Sequence, residues 1–137
     1  MAVIDAKNQI LGRLCTHVAK RLLDGEEITI VNAEDVRVSG SRTQLVKHYK
    51  QRRARGKNFS GPKYPRSPDM ILKRSVRGML DYRKTSGREA YKRLKVYVGM
   101  PRELKDIATE SPEASRKIVA KSVCLGDIAR ELGSGRL

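Results

Sequence analysis

Between Arg42 and Arg102 the chain carries 19 lysines and arginines against three acids, Asp69, Asp81 and Glu89, a local net charge of +16. The whole chain of 137 residues nets +15, so everything outside this block sums to −1. Cations in such excess are the chemistry of phosphate binding. Each one that meets a phosphate releases a condensed counterion, and ~6 to 10 such contacts already make association strongly salt-dependent. Arginine leads at Arg52, Arg53, Arg55, Arg66, Arg74 and Arg77, which suits forked contacts to phosphate and stacking on bases. Tyr49, Phe59, Tyr64 and Tyr82 lie among these charges and offer faces to unpaired bases. The cations assigned to an RNA-binding surface are Arg42, Lys47, Lys50, Arg52, Arg53, Arg55, Lys57, Lys63, Arg66, Lys73, Arg74, Arg77, Lys84, Arg88 and Lys92.

Other chemistries find less support in the residues. Gly12 stands outside any G-x-G-x-x-G pattern, and Gly56 and Gly61 have Walker A spacing but are followed by Pro62-Lys63. A proline there removes a backbone N–H that a phosphate cradle needs. His17 and His48 are the only histidines and read as solvated or partly buried helix residues. Asp5 and Asn32 stand at the ends of predicted strands, where they could line a crevice but fit better as turn and cap residues. No catalytic residue, metal ligand or cofactor is assigned. Cys15 and Cys124 sit among aliphatic residues, as buried reduced thiols do.

A polyanionic membrane surface would call for a basic helix with one strongly apolar face. Here the basic block spans loop, helix and strand and is interrupted by Gly and Pro. Duplex DNA readers bring a helix-turn-helix, a zinc finger or heptads, and none is present. A flexible basic arm is instead suited to irregular RNA. No apolar run approaches the ~20 residues of a membrane span and no signal-peptide core opens the chain, so a soluble intracellular protein is expected.

The elements that must position these cations are read from apolar spacing. A short strand, Ala2-Val3-Ile4, precedes a helix with Leu11, Leu14, Val18 and Leu22 on one stripe, widened by Cys15, Ala19 and Leu23, with Gly25 as its C-terminal cap. Ile28 to Ala33 is a β-branched run typical of a strand covered on both faces, hence of a parallel sheet. Val36-Arg37-Val38 reads as another short strand, and Ser41 to Gln44 has capping-box spacing for a helix carrying Leu45, Val46 and Tyr49. Residues 51–68, rich in Gly, Pro and Arg, read as a long basic loop, of which Gln51 to Arg66 is expected to be mobile alone and ordered on RNA.

Ser67-Pro68-Asp69 starts a helix with Leu72, Val76, Met79 and Leu80 on its apolar face and Lys73, Arg74 and Arg77 opposite. Ser86 to Glu89 is a second capping box, opening a helix with Tyr91 inward and Arg88 and Lys92 outward, before a strand through Leu94, Val96 and Val98. Helices are expected from Ser111-Pro112-Glu113 and over Gly126 to Leu132. Strands alternating with helices over 137 residues make one domain of α/β class, three-layered α/β/α around a small, mostly parallel sheet, with the basic extension at about 51–68.

Specific strings sharpen this. Ile10-Leu11-Gly12-Arg13-Leu14, Val31-Asn32-Ala33-Glu34 with Ser39-Gly40, and Val76-Arg77-Gly78-Met79-Leu80 leading to Gly87 and Leu94-Lys95-Val96-Tyr97 resemble the ribosomal protein uL13 family, and the long basic loop and the 137-residue length resemble its archaeal branch. Asp81 departs from the pattern, which usually has proline after Gly-Met-Leu. The resemblance implies a non-enzymatic component of the large subunit of the cytoplasmic ribosome, acting in translation. It would bind large-subunit rRNA beside neighbouring ribosomal proteins and support assembly, with no cofactor, membrane or small-molecule substrate. A free-standing regulatory or single-stranded RNA-binding module and a nucleotide-using α/β enzyme are the alternative readings.

Overall fold

The computed structural model describes residues 1–56, 61, 63–116 and 121–135; Lys57 and Phe59, both assigned to the RNA face above, lie outside the described residues. Strand β1 (Ala2–Asp5), helix α1 (Leu11–Leu23) and strand β2 (Ile28–Val31) open the chain as the spacing predicts. Leu14, Cys15, Val18, Ala19 and Leu22 bury one face of α1. Leu23 does not join them and is 56% exposed, because at ~100° per residue it stands about 140° round the helix from Val18. Gly25 closes the helix at φ +98°, its N–H donating to the Leu22 carbonyl.

Strand β2 is central in a sheet of order β1-β2-β4, parallel throughout, with β4 at Leu94–Val96. Register places Ile4, Ile30 and Val96 in one row and Ile28 beside Leu94 on the same face. That face meets the main core, and all four residues of β2 are buried. Such burial is the environment in which a continuous β-branched run is stable. Strand β3 (Arg37–Ser39) stays out of this sheet and pairs antiparallel with β5 (Ser122–Cys124). The α/β expectation therefore holds, with the antiparallel pairing confined to a second, two-stranded sheet.

Helix α2 (Arg42–Ala54) runs four residues into the stretch expected to be loop, since Gln51, Arg52, Arg53 and Ala54 are all good helix formers and the first breaker is Gly56. Helix α3 (Pro68–Met79) begins at its N1 proline and packs Ile71, Leu72 and Val76 against α1 and β4. Ser41 and Ser67 stand at the N-caps without a side-chain cap bond, so these starts are set by backbone geometry. Helix α4 (Thr85–Lys92) begins ahead of the predicted Ser86 box, with Lys84 as N-cap. The turn before it sets this start: the Lys84 N–H donates to the Asp81 carbonyl at 3.1 Å.

That turn also fixes Gly87. A Cβ at Gly87 would lie 2.0 Å from the Asp81 carbonyl oxygen, so the first turn of α4 stacks directly on the chain leaving α3. Asp81, where the family pattern has proline, closes the turn with a 3.1 Å ion pair to Lys84.

The C-terminal third is less helical than expected. Ser111-Pro112-Glu113 yields one 3-10 turn, Glu113–Ser115, because its polar groups are committed elsewhere. The Gln9 amide, fully buried, donates to Ser111 Oγ at 2.9 Å and accepts from Ser115 Oγ, while the Ile10 N–H donates to the Ser115 carbonyl. Upstream, Glu110 pairs with β1 on both sides of Ile4 and covers that sheet edge. Arg21 bridges Glu110 and Glu26 at 2.6 and 2.7 Å. Helix α5 (Leu125–Glu131) then buries Leu125, Ile128 and Ala129.

Asp5 and Asn32 act as turn residues: Asn32, at φ +56°, donates from Nδ2 to Asp5 Oδ1 at 2.9 Å, joining the ends of β1 and β2. Cys15 is buried and Cys124 half-buried, both free, and burial pushes the Cys15 thiol up to about 12. Among the described residues no helix is long and apolar enough to cross a membrane.

Two substitutions test this packing. Leu14→Ala, at a fully buried site, is expected to cost about 2–5 kcal/mol in urea unfolding; an unshifted midpoint would misplace the core. Gly87→Ala is expected to destabilise by about 1–3 kcal/mol, because the added methyl meets backbone; a variant as stable as the parent would mean that the Asp81 turn yields freely.

Candidate nucleic-acid interface

The end of α2 and the last turns of α3 enclose a cleft of about 660 Å³. Its lining is Arg52, Arg55 and Arg74 with Tyr64, Ser75, Gly78 and Met79, and none of these is acidic. Local sequence explains the convergence. On α3, Leu72 and Val76 face the core while Arg74 lies on the opposite side, so the helix packs and presents charge at once. On α2, Tyr49 is the one buried side chain, with Leu45, Val46 and Arg53 half-buried, so most of the helix surface stays open to solvent.

Tyr64 organises the cleft. Its ring is buried beside Tyr49, centroids 5.9 Å apart, and lies under two guanidiniums, that of Arg74 at 4.6 Å and that of Arg52 at 5.4 Å. Stacking on an aromatic ring is worth roughly 0.5–1 kcal/mol at exposed sites and also limits where the guanidinium can go. Tyr49 and Tyr64 are therefore core residues, which corrects the expectation that they stack on bases. Burial, chiefly, with Tyr64 close by, pushes the Tyr49 phenol up to about 12, so it remains neutral.

Arg53 has an engagement within the fold that the sequence does not indicate. Its Nη1 donates to the Tyr64 carbonyl at 2.7 Å and the side chain is partly buried. No acid lies near it in sequence, yet it is engaged, by backbone. With α2 continuing to Ala54 and Tyr64 buried, the basic extension begins as helix, against the expectation of loop from residue 51, and is anchored at Tyr64.

A second group of cations lies along α3 and α4. Arg77 stacks on Tyr82 at 4.6 Å and Lys73 on Tyr91 at 5.3 Å, while the two rings meet edge to face at 5.4 Å. Tyr91 is half-buried, with its phenol raised by burial, and Tyr82 is 39% exposed. Arg42, Lys47 and Lys50 line a separate groove of about 620 Å³ along α2 with Val46, Ala54 and Glu131. Arg42 is paired with Glu131 at 2.9 Å, and Lys84 with Asp81. Lys63 is exposed near Lys50 and Arg53, and Arg66 is exposed beside Gly133. Arg88 is exposed on α4. Lys92 is not brought to the cleft; it lines a different cavity with Met1, Glu27 and Lys95.

Sequence reading missed Ser75, Gly78 and Met79 as parts of the cleft. Met79 was placed on the apolar face by its spacing, yet at the final helical residue it is 43% exposed, with Sδ 3.5 Å from Thr16 Oγ1. Gly78 carries a signal in its residue type. A glycine inside a helix is worth roughly 0.5–1 kcal/mol less than alanine, and here a Cβ would meet no atom within 4 Å.

Comparison with known proteins agrees with the strings noted above. The family model of ribosomal protein L13 matches residues 1–103. The large ribosomal subunit protein uL13 of Methanosarcina barkeri is 50% identical, covering 98% of this chain and 99% of its own length. Those of Methanococcoides burtonii and Methanosphaera stadtmanae are 49% and 48% identical, each over 98% of this chain and over 99% and 98% of their own lengths. The chain belongs to the ribosomal protein L13 family, a family of structural, non-enzymatic ribosomal components.

The contrast between Arg53 and Arg52 is open to test. Arg53→Gln is expected to lower stability by about 1.5–3 kcal/mol, the range for a hydrogen bond to a charged group, and to speed proteolysis around Lys63 and Arg66. Arg52→Gln, which loses only a ring contact, is expected to cost at most about 0.5–1 kcal/mol. Equal stabilities in a denaturant series would remove the structural role given to Arg53.

Proposed function

We propose that this protein, a member of the ribosomal protein L13 family acting in translation in the cytoplasmic ribosome, binds large-subunit rRNA through the basic face of α2, α3 and α4 and supports assembly of the large subunit. Its curated relatives are named as proteins of the large ribosomal subunit. The observation that carries the reading is the cleft in which Arg52, Arg55 and Arg74 converge with no carboxylate in the lining. Three guanidiniums with no ion-pair partner among the described residues leave a site that an RNA backbone can fill. Two of them are held on one tyrosine ring before any RNA arrives, and a contact made by a pre-positioned side chain loses less entropy than one made by a free side chain.

The mechanism follows from charge and rigidity. The α1–α3 core holds the face in place; arginines at the cleft and lysines on its flanks neutralise phosphates, so RNA helices that would repel one another can approach. Neighbouring ribosomal proteins are further partners in this reading. Arg53 and the two tyrosines of the core support the face from within.

A salt titration by filter binding on a large-subunit rRNA fragment tests this. The triple variant Arg52→Gln, Arg55→Gln, Arg74→Gln is expected to remain folded, to bind more weakly, and to lower the slope of log affinity against log salt by about 2–3, one phosphate contact per charge removed. Parental affinity and slope in the folded triple variant would mean that the cleft is not where RNA binds.

A further inference from the structure

We infer that Gly78 is a point of close approach, where one stretch of RNA sugar–phosphate backbone lies directly against the helix backbone of α3, held from above by the guanidiniums of Arg52 and Arg74. This rests on the cleft being the RNA site and adds how deep the RNA goes and which residue permits it. Four glycines stand inside helices: Gly12 in α1, Gly78 in α3, Gly87 in α4 and Gly126, which is buried, in α5. None has a positive φ, so none is required by backbone conformation. Gly87 is required by packing, with the Asp81 carbonyl 2.0 Å from where its Cβ would be. At Gly78 neither reason applies. Its Cβ would meet nothing within 4 Å, and the residue is exposed.

Position supplies the missing reason. Gly78 lines the cleft one turn beyond Arg74, and every charged residue in that lining is an arginine. A side chain there would raise the floor under the site where the guanidiniums converge. Its absence lets a phosphodiester or a ribose reach van der Waals contact with the helix, a use of glycine that depends on a close partner. Ser75 lies one position C-terminal to Arg74 on the same lining, with its hydroxyl turned to the Ile71 carbonyl at 3.0 Å. That hydroxyl serves its own helix.

The experiment pairs thermal unfolding of the free protein with filter binding to the rRNA fragment, for Gly78→Ala, Gly12→Ala and Arg74→Gln. Gly12 is the control, being helical and equally open but absent from the cleft lining. Both alanine variants are expected to melt at or above the parental temperature, by up to about 3 °C. Gly78→Ala is expected to bind RNA about tenfold more weakly, a loss equal to ~1.4 kcal/mol, with Gly12→Ala at parental affinity. Parental binding by Gly78→Ala, a lowered melting temperature in that variant, or an equal loss in Gly12→Ala would each overturn the inference. Arg74→Gln separates the two levels: if it loses affinity while Gly78→Ala does not, the close approach falls and the RNA face stands, and if neither loses affinity, the cleft itself is not the RNA site.

Discussion

Burial of the α3 apolar face on α1 and the parallel sheet is the constraint on which the other features depend. Ile71, Leu72 and Val76 are fully buried, as are Leu14 and Val18 of α1 and Ile28 and Ile30 of β2. Each such side chain gains roughly 1.5–3 kcal/mol on leaving water. That attraction is what holds a helix carrying Lys73, Arg74 and Arg77 in a fixed orientation within a region of net charge +16. Because the core residues of α1, β1, β2 and α3 are aliphatic and need no charge to neutralise them, the fold tolerates an unbalanced surface. The apolar seam and the cationic face occupy opposite sides of the same helix.

Arginine count alone does not describe that face. Arg53 holds a backbone carbonyl, Arg42 is paired with Glu131, and Arg21 ties together Glu26 and Glu110. Arg52, Arg74 and Arg77 lie on tyrosine rings, a contact that orients a guanidinium while leaving its N–H donors free. An arginine engaged by a carbonyl builds the fold. One laid on a ring is positioned and still available to phosphate.

Much of this was legible in the sequence because it follows from periodicity. The stripe Leu14, Val18, Leu22, the β-branched strand Ile28 to Val31 and the two-sided α3 are all properties of neighbouring residues, and the structure has them where spacing put them. What was not legible depends on partners distant in sequence. Tyr64 looked like a base-stacking residue in a basic loop, and only its contact with Tyr49 of α2 and Arg74 of α3 makes it core. Ser111 to Ser115 had a helix start but is drawn into bonds with Gln9, roughly a hundred positions away, which local pattern does not reveal. The β3–β5 pairing likewise joins segments some eighty residues apart. At Met79 the spacing was right and the outcome wrong, because a stripe residue at a helix end can overhang the layer it would pack on.

The glycines show most clearly how a sequence pattern can conceal different causes. Gly78 and Gly87 belong to one string in the family resemblance and are only nine positions apart, yet the chain explains one and not the other. At Gly87 the Asp81 carbonyl occupies the space a side chain would need, and Asp81 is also the residue where this chain departs from the family's usual proline. The turn keeps its close packing without that proline, since the Lys84 N–H and ammonium both close onto Asp81. At Gly78 the fold makes no such demand: the helix would be better formed with alanine, and the space above it is open. Gly78 is thus unfavourable for the isolated helix and unexplained by its own packing, in the lining of a cleft that also holds three arginines.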